Sequence, residues 1–267
     1  MSAIDTLFEK LRREERKAFM PFVTAGDPDL DFTAGAIRKL VEAGSSLCEL
    51  GIPYSDPIAD GPVIQASYTR SLGRHVKLAE IFSMLGQLAP ELAAPIVTMV
   101  SYAIVYRRGP ERYVSEAKAA GAAGLIVPDL PADESEKLAK VCRREELSLI
   151  QLITPTTPRD RARKIAERTT GFIYYVSVAG ITGERDSLPQ EIVENVGWLR
   201  EQTPLPVCIG FGISRPEHVR MLAPVADGLI VGSAIVRRVA GAATKPRAQV
   251  LDDVGRYASE LLEAMEG

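Results

Sequence analysis

The amino-acid sequence predicts an α/β protein built as a closed (β/α)8 barrel, and three observations support this fold class. Short apolar runs recur eight times along the 267 residues. Each run is followed by turn residues and then by a longer segment whose apolar residues recur every three or four positions, as in an amphipathic helix. The runs are apolar on both alternating faces, which is typical of parallel strands that are covered on both sides. An open doubly wound sheet is the alternative, because the pattern does not fix the strand count.

The eight predicted strands follow one another at fairly regular intervals. In chain order they are AFMPFVT (18–24), SLCELGI (46–52), PIVTMVS (95–101), GLIVPDL (124–130), LSLIQLI (147–153), GFIYYVS (171–177), PVCIGFG (206–212) and DGLIVGS (227–233). The helical segments between them include FTAGAIRKLVEAG (32–44), PERYVSEAKAAGA (110–122), DESEKLAKVCRREE (133–146), PRDRARKIAERT (158–169) and PQEIVENVGWLREQ (189–202). An extra N-terminal helix is predicted from the spacing of Ile4, Leu7, Phe8 and Leu11. We therefore expect a single barrel domain over 1–267.

The composition is that of an ordinary folded chain and excludes several classes of protein. Hydrophobic residues make up 46% and charged residues 25%, which excludes collagen-like and disordered chains. The net charge of −3 comes without a long basic cluster, so we expect no nucleic-acid partner. No apolar stretch approaches the roughly 18 residues of a membrane-spanning helix, and the first residues lack the apolar core of a signal peptide. We expect a cytoplasmic protein with no membrane association.

The cysteines and histidines give no sign of a metal site. Cys48, Cys142 and Cys208 are far apart in the sequence, lack a C-x-x-C spacing and have apolar neighbours. They are expected to be buried free thiols in a reducing compartment. The chain has only two histidines, and neither lies near a cysteine in the sequence, so we expect no metal.

Two of the gaps between predicted strands are unusually long. The second and third strands begin roughly 50 residues apart, and the sixth and seventh roughly 35. The first gap contains PYSDPIADGPVIQ (53–65) and the second AGITGERDSLP (179–189). Both segments follow the carboxyl end of a strand, which is the end where (β/α)8 barrels place their active sites. The extra length therefore predicts the functional end of the barrel.

Small residues close the seventh and eighth predicted strands and indicate a phosphate site. The segments are IGFGIS (209–214) and IVGSAIV (230–236), with Gly210, Gly212, Gly232 and Ser233 at the turns. Glycine lets the backbone approach a ligand closely, and free N–H groups at a helix start favour an anion. Tight strand–helix packing would explain one such glycine pair, but two at consecutive strands favour phosphate. Because no nucleotide-binding glycine motif is present, we assign the phosphate to a substrate.

Two carboxylates lie near the second predicted strand. Glu49 is near the end of an otherwise apolar run, and Asp60 follows eleven residues later in the long gap, after Asp56. An acidic group in an apolar strand is costly unless it has a function or an ion-pair partner. The alternatives are a structural ion pair for Glu49 and turn capping for the aspartates. Together with a phosphate site at the same end, the carboxylates favour acid–base chemistry on a carbon–carbon bond.

Several of these segments together resemble one enzyme family. ELGIPYSDPIADGPVIQ (49–65) is similar to the signature of the tryptophan synthase alpha chain family. PFVTAGDP (21–28), VPDLPADES (127–135), YYVSVAGITG (174–183), IGFGIS and VGSAIV extend the resemblance over nearly the whole chain. It implies a (β/α)8 barrel that cleaves indole-3-glycerol phosphate into indole and glyceraldehyde 3-phosphate by a retro-aldol reaction. It also implies no metal or organic cofactor in this chain, and a beta-chain partner that carries pyridoxal phosphate in an alpha2beta2 heterotetramer.

The resemblance also implies a role for individual residues. Glu49 would be the general acid–base group, Asp60 would hold the indole N–H, and Tyr174 would lie near the glycerol chain, although Tyr175 is adjacent. Matching apolar positions would enclose the indole: Phe22, Ile64, Val100, Ile126 and Leu152. Further substrate contacts, mostly to the phosphate, would come from Thr182, Gly183, Gly210, Phe211, Gly212, Gly232 and Ser233. Residues 181–188 would form a lid that closes over the substrate.

The resemblance further implies a surface for the partner chain. Its residues would be Pro53, Asp56, Pro57, Ile104, Asp129 and Pro131. The sequence departs from the family pattern at Ile104, where many members have an asparagine, and at Val178 and Ala179, where some have a basic residue. The first difference concerns the partner-facing loop and the second the lid.

Alternative functions differ in catalysis or in partner dependence. A stand-alone indole-producing lyase and a noncatalytic activator of a beta chain would both carry these motifs. Another phosphate-binding barrel, such as an isomerase or an indole-glycerol phosphate synthase, would use the same glycines. Such a synthase needs a catalytic lysine on a strand, and the predicted strands contain none.

Overall fold

The computed structural model describes residues 2–57, 60–177, 190–210 and 212–266, and its strands form one closed barrel in the order β1 to β8. Each strand pairs in parallel with the next, and β8 pairs with β1. The strands are β1 (Ala18–Thr24), β2 (Cys48–Gly51), β3 (Ile96–Met99), β4 (Ala122–Ile126), β5 (Ser148–Ile153), β6 (Ile173–Val176), β7 (Val207–Gly210) and β8 (Gly228–Val231). The predicted (β/α)8 barrel is confirmed.

Every predicted strand is present, but their ends differ from the predicted ones, most clearly at β4. The apolar run predicted a strand over 124–130, whereas the observed strand covers Ala122–Ile126. Pro128 has no N–H to give to a strand ladder. Asp129 instead accepts hydrogen bonds from the Ser101 hydroxyl and the Tyr102 N–H. The chain therefore leaves the barrel two residues before Pro128.

The helices surround the barrel, and all the helical segments predicted from periodicity are observed. Within the described ranges they are α1 (Ala3–Arg13), α2 (Leu30–Glu42), α3 (Pro62–Leu72), α4 (Leu78–Leu88), α5 (Tyr102–Arg108), α6 (Pro110–Ala119), α7 (Glu136–Arg144), α8 (Arg159–Arg168), α9 (Gln190–Gln202), α10 (Pro216–Leu222), α11 (Ser233–Val239) and α12 (Arg247–Glu266). None of the helices in this part of the chain is both long and apolar enough to cross a bilayer.

Alternation along the strands sorts the buried side chains into an interior core and an outer core. On β1, Met20 and Phe22 belong to the interior cluster, whereas Phe19 and Val23 pack in the outer cluster under the helices. The same alternation holds on β2, β3 and β5 to β8, because successive side chains of a strand point to opposite faces. On β4 a shift in the pairing with β3 interrupts it, so that the interior residues Ala123 and Ile126 are three positions apart. The barrel interior is therefore a packed core whose upper layer forms the floor of the site.

Helix α1 covers the amino end of the barrel. Ser2 and Asp5 form a capping box at its start. Its buried residues Ile4, Phe8 and Leu11 join the interior cluster, and the rings of Phe8 and Phe172 lie 5.8 Å apart between centroids. The extra N-terminal helix predicted from periodicity is thus present, and it packs against the end of the barrel opposite the strand carboxyl ends.

Candidate active site

A cavity of about 800 Å³ lies at the carboxyl ends of the strands. It is within the range of about 300–1,000 Å³ that is typical of small-molecule sites. Among the residues proposed from the sequence, those lining it are Phe22, Glu49, Asp60, Ile64, Leu152, Tyr174, Gly212, Gly232 and Ser233. The fold thus brings both carboxylates, the inner tyrosine and most of the small residues to one cavity.

Glu49 lies in the middle of β2 and points into the barrel. Its neighbours in register are Phe22 on β1 and Val97 on β3. The side chain is fully buried, and both carboxylate oxygens lack a hydrogen-bond partner among the residues that the structure describes. Burial raises the pKa of Glu49 to about 8, because loss of solvent disfavours the charged form. At neutral pH the group is mainly a carboxylic acid, and the alternative of a structural ion pair has no support.

Asp60 lies just before α3 and faces the same cavity. Its turn contacts are made by its backbone: its N–H donates to Pro57, and its carbonyl accepts from the Gln65 side chain at 2.8 Å. Burial, and then the negative charge of Asp129, raise the pKa of Asp60 to about 6. Asp60 is therefore mainly ionised at neutral pH, where Glu49 is mainly protonated.

Helix α3 holds Asp60 in place because it is fixed to the end of β1. The hydroxyls of Thr24 and Ser67 lie 2.6 Å apart. The Arg70 guanidinium donates two hydrogen bonds, of 2.8 and 2.6 Å, to the carboxylate of Asp27, which is 1% exposed. A bidentate pair of this kind fixes orientation as well as distance. The segment PFVTAGDP thus has a structural role in positioning the loop that carries Asp60.

The two adjacent tyrosines of β6 point in opposite directions. Tyr174 belongs to the interior cluster and lines the cavity, whereas Tyr175 packs in the outer cluster. Burial, and then the charges of Glu49 and Asp60, raise the pKa of Tyr174 well above its usual value. A side chain at Gly210 on β7 would come within 2.5 Å of the Tyr174 hydroxyl. Gly210, expected to contact substrate, therefore makes room for the Tyr174 ring.

The ends of β7 and β8 form the part of the cavity suited to an anion. Gly212 has a φ of +79°, which favours glycine. The carbonyl of Gly232 accepts from the N–H groups of Ile235 and Val236 at the start of α11. The first N–H groups of a helix have no partner within it and carry a partial positive charge. Among the described residues, a side chain at Gly232 would meet Phe22 alone, at 3.7 Å, so packing against them does not require glycine there.

Two apolar residues expected around the indole are placed differently. Val100 packs in the outer cluster and lines a smaller adjoining cavity, while Met99 lines the main one. This follows from alternation, because Val100 is one residue past the inward-facing Met99. Ile126 is fully buried deeper in the interior core, and Val127 lines the cavity.

The residues expected to face a partner chain differ in their exposure to solvent. Asp56, Asp129 and Pro131 are exposed, Pro57 and Ile104 are partly buried, and Pro53 is buried. Asp129 and Pro131 also line the main cavity. Near them, Tyr106 on α5 is 72% exposed.

Some predicted residues lie outside the described residues. These are Thr182 and Gly183, the rest of the expected lid at 181–188, Val178, Ala179 and Phe211. No group of three or more His, Cys, Asp or Glu side chains that could hold a metal ion occurs in the part of the chain that the structure describes.

The sequence reasoning missed several residues that line the cavities. They are Met99, Val127, Gln151, Arg161, Ser214 and Arg237 in the main cavity and Tyr68 in the smaller one. Burial, and then the charges of Asp60 and Glu49, raise the pKa of Tyr68, which places it close to both carboxylates. Strand alternation predicts Met99, and the helical spacing from Ile64 predicts Tyr68. No sequence signal distinguishes Arg161 and Arg237 from the other basic residues of amphipathic helices.

Comparisons with known proteins agree with this architecture. A family model described as tryptophan synthase alpha chain matches residues 8–266. The tryptophan synthase alpha chain of Rhodopirellula baltica is 58% identical over 264 residues, which cover 97% of this chain and 95% of that protein. Tryptophan synthase subunit alpha from Legionella pneumophila matches with a TM-score of 0.90 at 33% identity, covering 100% of this chain and 99% of that one. A chain of a tryptophan synthase complex from Pyrococcus furiosus matches with a TM-score of 0.83 at 35% identity, covering 92% of this chain and 98% of that one.

Proposed function

The chain belongs to the tryptophan synthase alpha chain family and is a lyase of indole-3-glycerol phosphate, and we propose that Glu49 and Asp60 carry its chemistry. The reaction is the alpha half-reaction of tryptophan biosynthesis, a retro-aldol cleavage that yields indole and glyceraldehyde 3-phosphate. The observation that carries the proposal is the pair of carboxylates in one cavity, with pKa values near 8 for Glu49 and 6 for Asp60 because burial acts on them unequally. Two groups whose pKa values differ in this way can divide acid and anion roles.

Glu49 acts first as an acid and then as a base. Its proton goes to the indole ring carbon that carries the glycerol chain, which turns the ring into a cationic indolenine. The resulting carboxylate then takes the proton of the glycerol hydroxyl next to the scissile bond. As that hydroxyl becomes a carbonyl, the carbon–carbon bond breaks and its electron pair returns to the ring. Glu49 gives one proton to the ring and takes one from the hydroxyl, so it ends the cycle protonated.

Asp60 stabilises the charge that develops between these two steps. Its carboxylate accepts a hydrogen bond from the indole N–H, which becomes more acidic as the ring becomes cationic. An anion placed where positive charge develops lowers the activation barrier of that step. Asp60 must be ionised for this role, and its pKa near 6, raised by burial and by Asp129, leaves it ionised at neutral pH.

The rest of the cavity holds the two ends of the substrate. Phe22, Ile64, Met99 and Leu152 form an apolar surface for the indole ring. The phosphate binds at Gly212, Gly232 and Ser233, where the backbone N–H groups at the start of α11 favour an anion. Binding at both ends keeps the scissile bond between the carboxylates.

The partner of the chain is the tryptophan synthase beta chain. We propose an alpha2beta2 assembly in which pyridoxal phosphate belongs to the beta chain and the alpha reaction uses only side chains and backbone of this chain. The exposed residues Asp56, Asp129 and Pro131 at the cavity mouth support contact there. The buried free thiols of Cys48, Cys142 and Cys208 support a reducing, cytoplasmic location.

Release of indole from indole-3-glycerol phosphate by the purified chain, alone and with a beta chain, tests this function. Weak activity alone that rises strongly with the partner is the expected result. Strong activity alone would instead support a stand-alone lyase. Absence of cleavage in both conditions would contradict the proposal and favour a noncatalytic role.

A further inference from the structure

The main cavity extends beyond the barrel interior into the helix layer beside β5. Leu130, Ala132 and Ile165 line it, although all three belong to the outer cluster. We call this extension the side lobe and define it by residues Leu130, Ala132, Gln151, Thr154, Thr157, Arg161 and Ile165. The phosphate-binding residues proposed above follow the ends of β7 and β8, a different part of the barrel wall. The side lobe is therefore separate from the groups assigned to the substrate.

Gln151 supplies an unpartnered polar group in the side lobe. Its register partner on β6 is Ile173, an outer-cluster residue, so Gln151 points away from Glu49 and toward the helices. Gln151 is 8% exposed and lines the cavity, and within the described part of the chain its Nε2 has no hydrogen-bond partner. A buried amide donor without a partner is unfavourable. Nε2 has almost no accessible surface in this orientation, so a ligand acceptor in the side lobe would satisfy it once the amide rotates about its terminal side-chain bond.

Arg161 supplies a cation at the exposed rim of the same lobe. Among the residues that the structure describes, no carboxylate lies within ion-pair distance of it, whereas its neighbour Arg163 pairs with Asp160 at 3.8 Å. Arg163 also donates to Gln202. A guanidinium is always charged and forms two parallel hydrogen bonds to a carboxylate. Arg161 is thus available to an anion that enters the side lobe.

The loop between β5 and α8 presents an ordered set of hydroxyls to the lobe. The Thr154 hydroxyl lies 3.0 Å from those of Thr156 and Thr157. The Thr154 N–H donates to the Thr157 hydroxyl, and the Thr157 N–H donates back to the Thr154 carbonyl, both at 3.0 Å. A loop held by its own hydrogen bonds loses little freedom when a ligand binds.

We propose that the side lobe is a second binding site, for a small organic carboxylate with a compact apolar body. The carboxylate lies between Arg161 and the Gln151 amide, and the apolar body packs on Leu130 and Ile165. A planar carboxylate matches one guanidinium fork and one amide donor. A phosphate dianion would need more positive charge or a backbone cradle, which the chain provides instead at Gly232 and Ser233.

Isothermal titration of the full chain with 3-methylbutanoate tests the site, with the uncharged 3-methylbutanamide as the matched ligand. We expect saturable binding of the carboxylate and none of the amide. Arg161→Gln and Gln151→Leu should each weaken carboxylate binding about tenfold or more, since each removes a hydrogen bond to a charged group. Gln151→Leu should melt at the same temperature as the parent or higher, because it removes a buried amide that has no partner.

Titration with glycerol 3-phosphate separates this site from the one proposed for the substrate phosphate. Its affinity should be unchanged in Arg161→Gln and Gln151→Leu, and 3-methylbutanoate should not compete with it. The inference is overturned by absent carboxylate binding, by equal binding of the amide, by insensitivity to both substitutions, or by displacement of 3-methylbutanoate with inorganic phosphate. Failure of glycerol 3-phosphate to bind would count against the proposed function only.

Discussion

The two ends of the barrel are built from the same strands but satisfy their buried groups differently. At the amino end, α1 inserts Ile4, Phe8 and Leu11 against the interior core, and apolar packing of this kind stabilises the fold. At the carboxyl end a cavity opens above the core, and Glu49 is buried there with no described residue hydrogen-bonded to either oxygen. A buried acid without a partner weakens the fold but is primed for proton transfer. The comparison shows stability concentrated at one end and reactivity at the other.

Replacement of Glu49 should produce the largest effect on turnover. Glu49→Gln keeps the shape of the side chain and removes its proton transfer, so we expect kcat to fall by about 10²–10⁴, the usual contribution of a positioned acid–base group. Indole release under saturating substrate measures it. Glu201→Gln is the matched control, because Glu201 is an exposed glutamate on α9 that lines neither cavity of the site, and it should keep parental kcat. Near-normal cleavage by Glu49→Gln would show that another group transfers the proton.

Truncation of Phe8 at the amino end should lower stability and leave turnover unchanged. Phe8→Ala removes the ring that contacts Phe172, and we expect the free energy of unfolding to fall by about 3–5 kcal/mol. Urea denaturation measures the loss. At temperatures where the variant is folded, kcat and KM should equal those of the parent. A change in kcat with little loss of stability would break the proposed division between the two ends.

The pH dependence of stability should identify Glu49 as a destabilising group. The carboxyl loses its proton near pH 4.5 when unfolded and near pH 8 when folded, because burial raises its pKa. Between these values the folded chain binds more protons than the unfolded chain, so stability falls as pH rises and levels off above about 8. Relative to Glu49→Gln, the parent should lose about 2 kcal/mol of unfolding free energy between pH 6 and pH 8.

Urea titrations of both proteins at the two pH values test this sign. A parent that gained stability relative to Glu49→Gln over the same interval would show that Glu49 is charged and paired when folded. Turnover of the parent should also decline above pH 8, because the acid form of Glu49 is lost there.

The sequence predicted the fold and much of the site because both depend on local patterns. Eight apolar runs alternate with helical segments, and the carboxyl end of each strand is defined by the chain direction, so Glu49 and Asp60 were expected at one end. Val100 packs under the helices because a one-residue difference in phase decides which side of a strand a residue faces, whereas Ile126 faces the interior but is not among the residues that line the cavity. The side lobe could not be predicted, since it depends on how β5, α8 and the loop after β4 pack together.

The smallest expected effect comes from the adjacent tyrosines of β6. They compare the two faces of one strand, whereas the predictions above compare the two ends of the barrel. Tyr174 and Tyr175 are both buried, but one lines the cavity and the other packs under the helices. Tyr174→Phe removes one hydroxyl from the site, and we expect kcat/KM to fall about tenfold, the effect of one hydrogen bond. Tyr175→Phe is the matched control and should leave kcat/KM unchanged. Equal losses in both variants would mean that the tyrosines act through stability, so that inward orientation alone does not make a residue catalytic.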